Sequence, residues 1–157
     1  MTSPDLVAWP PTETRFRRSE VSAVIGTGEH VWQRASRDVL LWRVKTRSGF
    51  SVTTTEPVTV GDRPMITARP FGIRIVEPVV VIAVVQENDR VGFAYRTLPG
   101  HPVSGEEAFI VTREGNEVRL TIRSLTRPAP QQPWRILYPV LRIAQLVARR
   151  RYLRALR

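Results

Sequence analysis

Apolar and polar positions alternate through Phe16–Ile25, with Val21, Ala23 and Ile25 on one side and Ser22 and Val24 on the other, which predicts a strand. Gly26-Thr27-Gly28 ends it. From Glu29 the period lengthens: Val31, Ala35, Val39 and Trp42 recur near helical spacing, and Leu40 and Leu41 widen that face. The pattern predicts a helix to about Arg47, stopped by Ser48-Gly49. A strand, a glycine turn and a helix invite a dinucleotide site. The third glycine of G-x-G-x-x-G is replaced by Val31, however, and no alternating βαβ pattern follows, so that site is rejected.

From Phe50 to Thr126 the period is two, in short runs punctuated by turn residues. The predicted strands are Ser51–Glu56, Val58–Val60 before Gly61-Asp62, and Met65–Ala68 before Pro70-Phe71-Gly72. Ile73–Val76 and Val79–Val85 flank Glu77-Pro78 and read as one broken, bent strand. Val91–Leu98 follows the Asn88-Asp89 turn, and Pro99–Gly105 is a connection. Glu107–Arg113 and Val118–Leu125 meet at Glu114-Gly115-Asn116, a hairpin signal. Many short strands in succession favour an antiparallel sheet.

Arg127–Pro133 reads as a proline-rich linker and Trp134–Arg157 as a second helix. Ile136, Val140, Ile143 and Val147 form one stripe, with Leu137, Leu141, Ala144 and Ala148 beside it; Arg135, Arg142 and Arg149 lie opposite. Pro139 kinks or restarts the helix. The part beyond it spans about 28 Å at 1.5 Å per residue, enough to cross a sheet. The order predicts an α+β fold: a curved antiparallel sheet gripping a long C-terminal helix, with one further helix after the first strand. Residues 1–14 read as an extended or loosely docked proline-rich arm, and 15–157 as a single domain.

Charge sharpens the picture of the C-terminal end. The formal net charge is +10, and residues 127–157 supply eight arginines and no acid, so the body is close to neutral. Of the 24 basic residues only Lys45 is lysine, a usage that GC-rich coding would produce. The absence of cysteine excludes disulfides, thiolate nucleophiles and Cys-ligated metals. His30 and His101 are too few for a histidine-rich metal site, and no P-loop, HExxH or EF-hand spacing occurs. No metal or cofactor is expected. The start of the chain lacks a signal-peptide pattern, and Val79–Val85 is far short of the roughly 20 apolar residues of a membrane helix. A cytoplasmic protein is therefore expected.

Chemically usable groups concentrate in Gly92–Phe109. Gly92-Phe93-Ala94-Tyr95, Thr97-Leu98-Pro99-Gly100-His101-Pro102 and Gly105-Glu106-Glu107 with Phe109 resemble the signature of the uncharacterised UPF-0548 family. Gly26-Thr27-Gly28 with Trp32, Arg127-Pro128-Ala129, and Gln145 with Arg150-Arg151-Tyr152-Leu153 extend the resemblance from about residue 20 to the end. Arg96 and Val103-Ser104 depart from the pattern. The resemblance implies one domain of a known type and transfers no catalytic residue. The element order itself is similar to the helix-grip architecture of START-type and polyketide-cyclase-like proteins, which implies a cavity between sheet and helix.

If Phe93 and Phe109 face the core, alternation turns Tyr95, Thr97 and Glu107 the same way. A buried carboxylate needs a partner, and Tyr95, His101 and an arginine are the candidates. Tyr95, Thr97, His101 and Glu107 are thus the candidate ligand-binding residues, with His101 an acid–base group by its ordinary pKa. In the alternative, Thr97–Pro102 is a rigid turn and Glu106 and Glu107 pair with surface arginines. The expected function is binding of a small apolar or amphipathic ligand; an enzyme using His101 and Glu107 in the same pocket is the second hypothesis. An adaptor using Arg149, Arg150, Arg151 and Arg154 against an anionic membrane or nucleic acid is the third. Nucleic acid is disfavoured by the neutral body, peripheral membrane contact has no supporting motif, and the residues leave the oligomeric state open. Trp32, Trp42 and Trp134 are expected on helices as packing residues, with Trp9 covering an edge.

Overall fold

The computed structural model describes residues 1–11 and 15–157, so 12–14 of the expected arm lie outside the described residues. Seven strands form one antiparallel sheet: β1 (Arg17–Thr27), β2 (Phe50–Val52), β3 (Met65–Ala68), β4 (Ile75–Gln86), β5 (Arg90–Thr97), β6 (Val103–Glu114) and β7 (Glu117–Pro128). Their order is β1-β7-β6-β5-β4-β3-β2, so the first and last strands pair. Among the described residues three α-helices accompany the sheet: α1 (Glu29–Leu40), α2 (Arg43–Thr46) and α3 (Trp134–Tyr152). The sheet curls into a half-barrel with α3 across its open side, the α+β helix-grip arrangement expected from element order. Among the described residues no helix is long and apolar enough to cross a membrane.

Register decides what faces inward. Phe93 stands opposite Phe109 and Phe109 opposite Ile122; Tyr95 stands opposite Glu107 and Glu107 opposite Ser124. Phe93, Phe109, Ile122, Val111 and Leu120 are buried on the concave face against Trp32, Ala35 and Val39 of α1. Each large side chain so buried contributes about 1.5–3 kcal/mol. The convex face carries Arg90, Arg123 and Glu106. There Arg123 donates to the carbonyls of Ser3, Leu6 and Val7, and Arg90 to that of Pro4, which docks the N-terminal segment. Trp9 is buried on that side, with the Arg18 guanidinium 3.9 Å from its ring centroid.

Several boundaries differ from the sequence expectation. The single helix to Arg47 is two, because Trp42 adopts a left-handed conformation (φ 59°) between α1 and α2. That conformation costs about 1–2 kcal/mol for a residue with a side chain. It is offset by the indole, which meets Phe93 edge-on at 4.6 Å between centroids and lies 5.7 Å from Tyr95. The bend also turns Lys45 into the interior.

Ser51–Glu56 shrinks to β2, and Val58–Val60 forms no strand; Val58 is instead held by its N–H to the Leu40 carbonyl. Ile73–Val85 proves to be one continuous strand from Ile75, running through Glu77-Pro78, with a register shift between Val81 and Ala83. β6 begins at Val103 and β7 runs to Pro128, shortening both expected connections. α3 stops at Tyr152, and Pro139 sits within it.

The largest difference concerns α3. Its stripe does not cover the sheet: Ile136, Val140 and Ile143 remain 73%, 63% and 64% exposed. Contact is concentrated at its C-terminal end, where Tyr152 is buried and Leu156, in the turn beyond, is 1% exposed. Residues 149–157 are therefore not a solvated basic tail. The helix is anchored at one end and stands off the sheet along the rest.

Candidate functional site

The space beneath α3 is a cavity of about 700 Å³. Its apolar wall comes from Val140, Leu141, Ala144 and Ala148 of α3 and from Phe50 and Ile75 of the sheet. Pro70 and Phe71 rim it. Its floor is polar: Lys45, Glu77, Tyr95, Thr97, His101, Glu107 and Tyr152 all line it. The four residues singled out in the sequence as ligand-binding candidates lie on this one surface. Lys45, Glu77 and Tyr152 are additions.

Lys45 is the centre of the floor. Its Nζ lies 3.1 Å from Glu107 Oε2 and donates to the Tyr152 hydroxyl at 2.8 Å. Ring centroids of Phe50, Tyr152 and Tyr95 sit 4.8, 4.9 and 5.3 Å away, so aromatic faces surround the remaining ammonium surface. The Tyr95 hydroxyl donates to the same Glu107 oxygen. The expected partners of Glu107 were Tyr95, His101 or an arginine; the charge partner is the lysine, which the bend at Trp42 delivers from 62 residues away.

The electrostatics follow from burial and that pairing. Burial alone would push the Lys45 ammonium down, but the Glu107 carboxylate, with Tyr152, Tyr95 and Glu77, holds it well above the usual lysine value. Burial pushes Glu107 up, yet Lys45 and the hydrogen bonds from Tyr95 and Lys45 bring it below the ordinary carboxylate range. Both are charged at neutral pH. Tyr95 and Tyr152 are raised, first by burial, and stay protonated. Glu77 is raised by burial and only partly restrained by Lys45.

His101 differs from expectation. Its Nδ1 accepts the Val103 N–H at 3.0 Å, which fixes the turn and puts the imidazole proton on Nε2. Burial, helped by the Lys45 charge, pushes its pKa down to about 3, so the ring is neutral rather than poised near pH 7. The folded state thus binds fewer protons than the unfolded state between about pH 6.5 and the folded pKa. Stability is full above the unfolded value and falls with acidification, by up to about 1.4 kcal/mol per pH unit. Glu77, shifted the other way, works against this fall. His101→Gln should flatten the acid side of the stability profile in urea unfolding between about pH 6 and 4; an unchanged slope would show that His101 is already protonated when folded.

Thr97 has a clasping role: its Oγ1 accepts the Gly105 N–H at 2.9 Å. Gly105 has φ +152°, and a Cβ there would lie 1.7 Å from the Leu125 carbonyl oxygen, so no other residue fits this close strand approach. Glu106 and Arg96 pair with each other on the convex side; Glu106 also borders the cavity, whereas Arg96 does not line it. The arginine candidates diverge. Arg149 donates to Ser19 and Ser124, Arg151 lines the cavity, and Arg150 and Arg154 are exposed. Among the described residues no cluster of His, Cys, Asp and Glu could hold a metal ion.

Comparison with known proteins gives consistent matches. The profile of a domain of unknown function (DUF1990) matches residues 4–155. A UPF0548 protein of Deinococcus radiodurans is 41% identical over 78 residues, a stretch covering 48% of this chain and 38% of that relative. A hypothetical protein of Helicobacter pylori superposes with a TM-score of 0.65 at 16% identity, over 99% of this chain and 96% of its own. A norcoclaurine synthase point mutant from Thalictrum, solved with a transition-state analogue, gives 0.54 at 13% identity, over 92% and 96%. At these identities the structural likeness establishes the fold alone.

Proposed function

The chain belongs to the DUF1990 family, a domain of unknown function, and for this member we propose that the cavity beneath α3 binds a small apolar or amphipathic molecule. One observation carries the proposal: the apolar stripe of α3 faces a cavity of about 700 Å³ with a polar floor, where a closed core would leave none. That volume lies within the range of small-molecule sites, and mostly apolar walls with a few placed polar groups are their usual chemistry. The helix-grip likeness supports this reading at the level of fold. Membrane or nucleic-acid contact through Arg149, Arg150, Arg151 and Arg154 has less support, because Arg149 is bonded to Ser19 and Ser124 and Arg151 lines the cavity. Acid–base turnover by His101 and Glu107 also has less, since one is neutral and the other is held in an ion pair.

The test is to fill the cavity. Ala144 lines it yet is exposed on α3, so Ala144→Trp adds an indole without displacing the core. Binding of the neutral fluorophore N-phenyl-1-naphthylamine should fall at least tenfold in this variant, with thermal unfolding little changed. Equal binding by both proteins would overturn the reading.

A further inference from the structure

The polar floor has two halves in different states. Around Lys45 the groups are matched to one another: ammonium to carboxylate, ammonium to Tyr152, Tyr95 to carboxylate. At the other half, Glu77 Oε2 and His101 Nε2 face each other at 3.8 Å, beyond hydrogen-bond reach, and neither has a protein hydrogen bond among the described residues. Both side chains are mostly buried, 16% and 10% exposed, and both line the cavity. Because His101 Nδ1 is already an acceptor, Nε2 is a donor, while Glu77 supplies an acceptor.

A donor and an acceptor separated by 3.8 Å are bridged by one atom that both accepts and donates. An oxygen about 2.8 Å from each closes such a triangle with ordinary hydrogen-bond lengths. Resting on the cavity-binding reading, we propose that Glu77 and His101 form the head-group receptor of this site, and that its ligands are neutral alcohols or phenols with an apolar body. The hydroxyl oxygen accepts from His101 Nε2–H and donates to Glu77. A carboxylate head has no proton for Glu77 and would stand directly beside that carboxyl group, where the neighbouring Lys45 is already paired with Glu107; Arg69 and Arg151 are the cavity's other cations. An ammonium head has no lone pair for the imidazole N–H. An ether accepts but cannot donate. Against each of these three heads the receptor selects the hydroxyl by leaving a buried partner unpaired, a strong form of polar discrimination.

The experiment compares four ligands of one chain length, 1-decanol, 1-methoxydecane, decanoate and decylamine, by displacement of N-phenyl-1-naphthylamine from the wild-type chain near neutral pH. Decanol should bind at least tenfold tighter than each of the others. Glu77→Leu and His101→Phe should each bring decanol and methoxydecane within about threefold of one another while the fluorophore still binds. Decanoate, decylamine or methoxydecane binding as tightly as decanol to the wild-type chain would overturn the head-group assignment and leave the cavity reading standing. Failure of the fluorophore and all four ligands to bind would overturn both. The wild-type series decides the matter even where a variant fails to fold.

Discussion

Lys45→Met should lower stability by about 3–5 kcal/mol near neutral pH, because it leaves the Glu107 carboxylate buried without its charge partner. For a domain of this length that corresponds to a fall of roughly 10 °C in Tm. The variant should also respond to pH in the opposite sense. In the wild-type chain Glu107 is held below its unfolded pKa, so its contribution is present above the unfolded value and lost as pH falls through the folded one. Without Lys45, burial dominates and raises Glu107, so the variant should lose stability as pH rises above the unfolded carboxylate value. Adding Glu107→Leu should restore much of the loss, since replacing both members of a buried pair is far milder than orphaning one. Urea unfolding of the two single variants and the double variant at about pH 5 and 8 checks all of this. Additive losses would mean that the pair is not coupled.

Deleting residues 149–157 should prevent folding, or lower stability by about 5 kcal/mol or more. The segment looks dispensable by charge, but Tyr152 and Leu156 are buried in the main core and the Tyr152 hydroxyl accepts from Lys45. A single buried leucine truncated to alanine costs about 2–5 kcal/mol, and here an aromatic residue goes as well. Arg150→Gln with Arg154→Gln, both exposed, should leave Tm nearly unchanged. Far-UV circular dichroism with thermal melting distinguishes the two. A deletion variant as stable as the full chain would return the basic end to the status of a free tail.

Much of this fold was legible because local pattern and tertiary role agree along most of the chain. The two-residue period from β3 to β7 reports a sheet buried on its concave face, and the same period places Phe93, Tyr95, Glu107 and Phe109 together. The turn at Glu114-Gly115-Asn116 marked β6 and β7 as a hairpin, and the inward direction of Glu107 followed from its sharing a face with Phe109. What escaped is what depends on the third dimension. A continuous helical period through Trp42 carries no mark of a left-handed residue there, since its ring is held by Phe93, distant in sequence. Lys45 was consequently noted only as the single lysine and given no place in the interior.

Its rarity was a usable signal: one lysine among so many arginines is better explained by a need for a compact ammonium beside Glu107, Tyr95 and Tyr152 than by coding alone. Glu77 was masked by Pro78, which reads as a break but sits within β4. The stripe of α3 was legible as apolar, but hydrophobic spacing is the same whether the facing partner is a sheet or a ligand, so its standing off the sheet was not.

The single lysine has a practical corollary. Among the side chains of this sequence an amine-directed acylating reagent meets a single target, the ammonium of Lys45. That group is shielded by aromatic rings and an ion pair in the closed floor. The rate of acylation at Lys45, read by mass spectrometry, is therefore a clock for opening of the cavity floor, and it requires no engineered label.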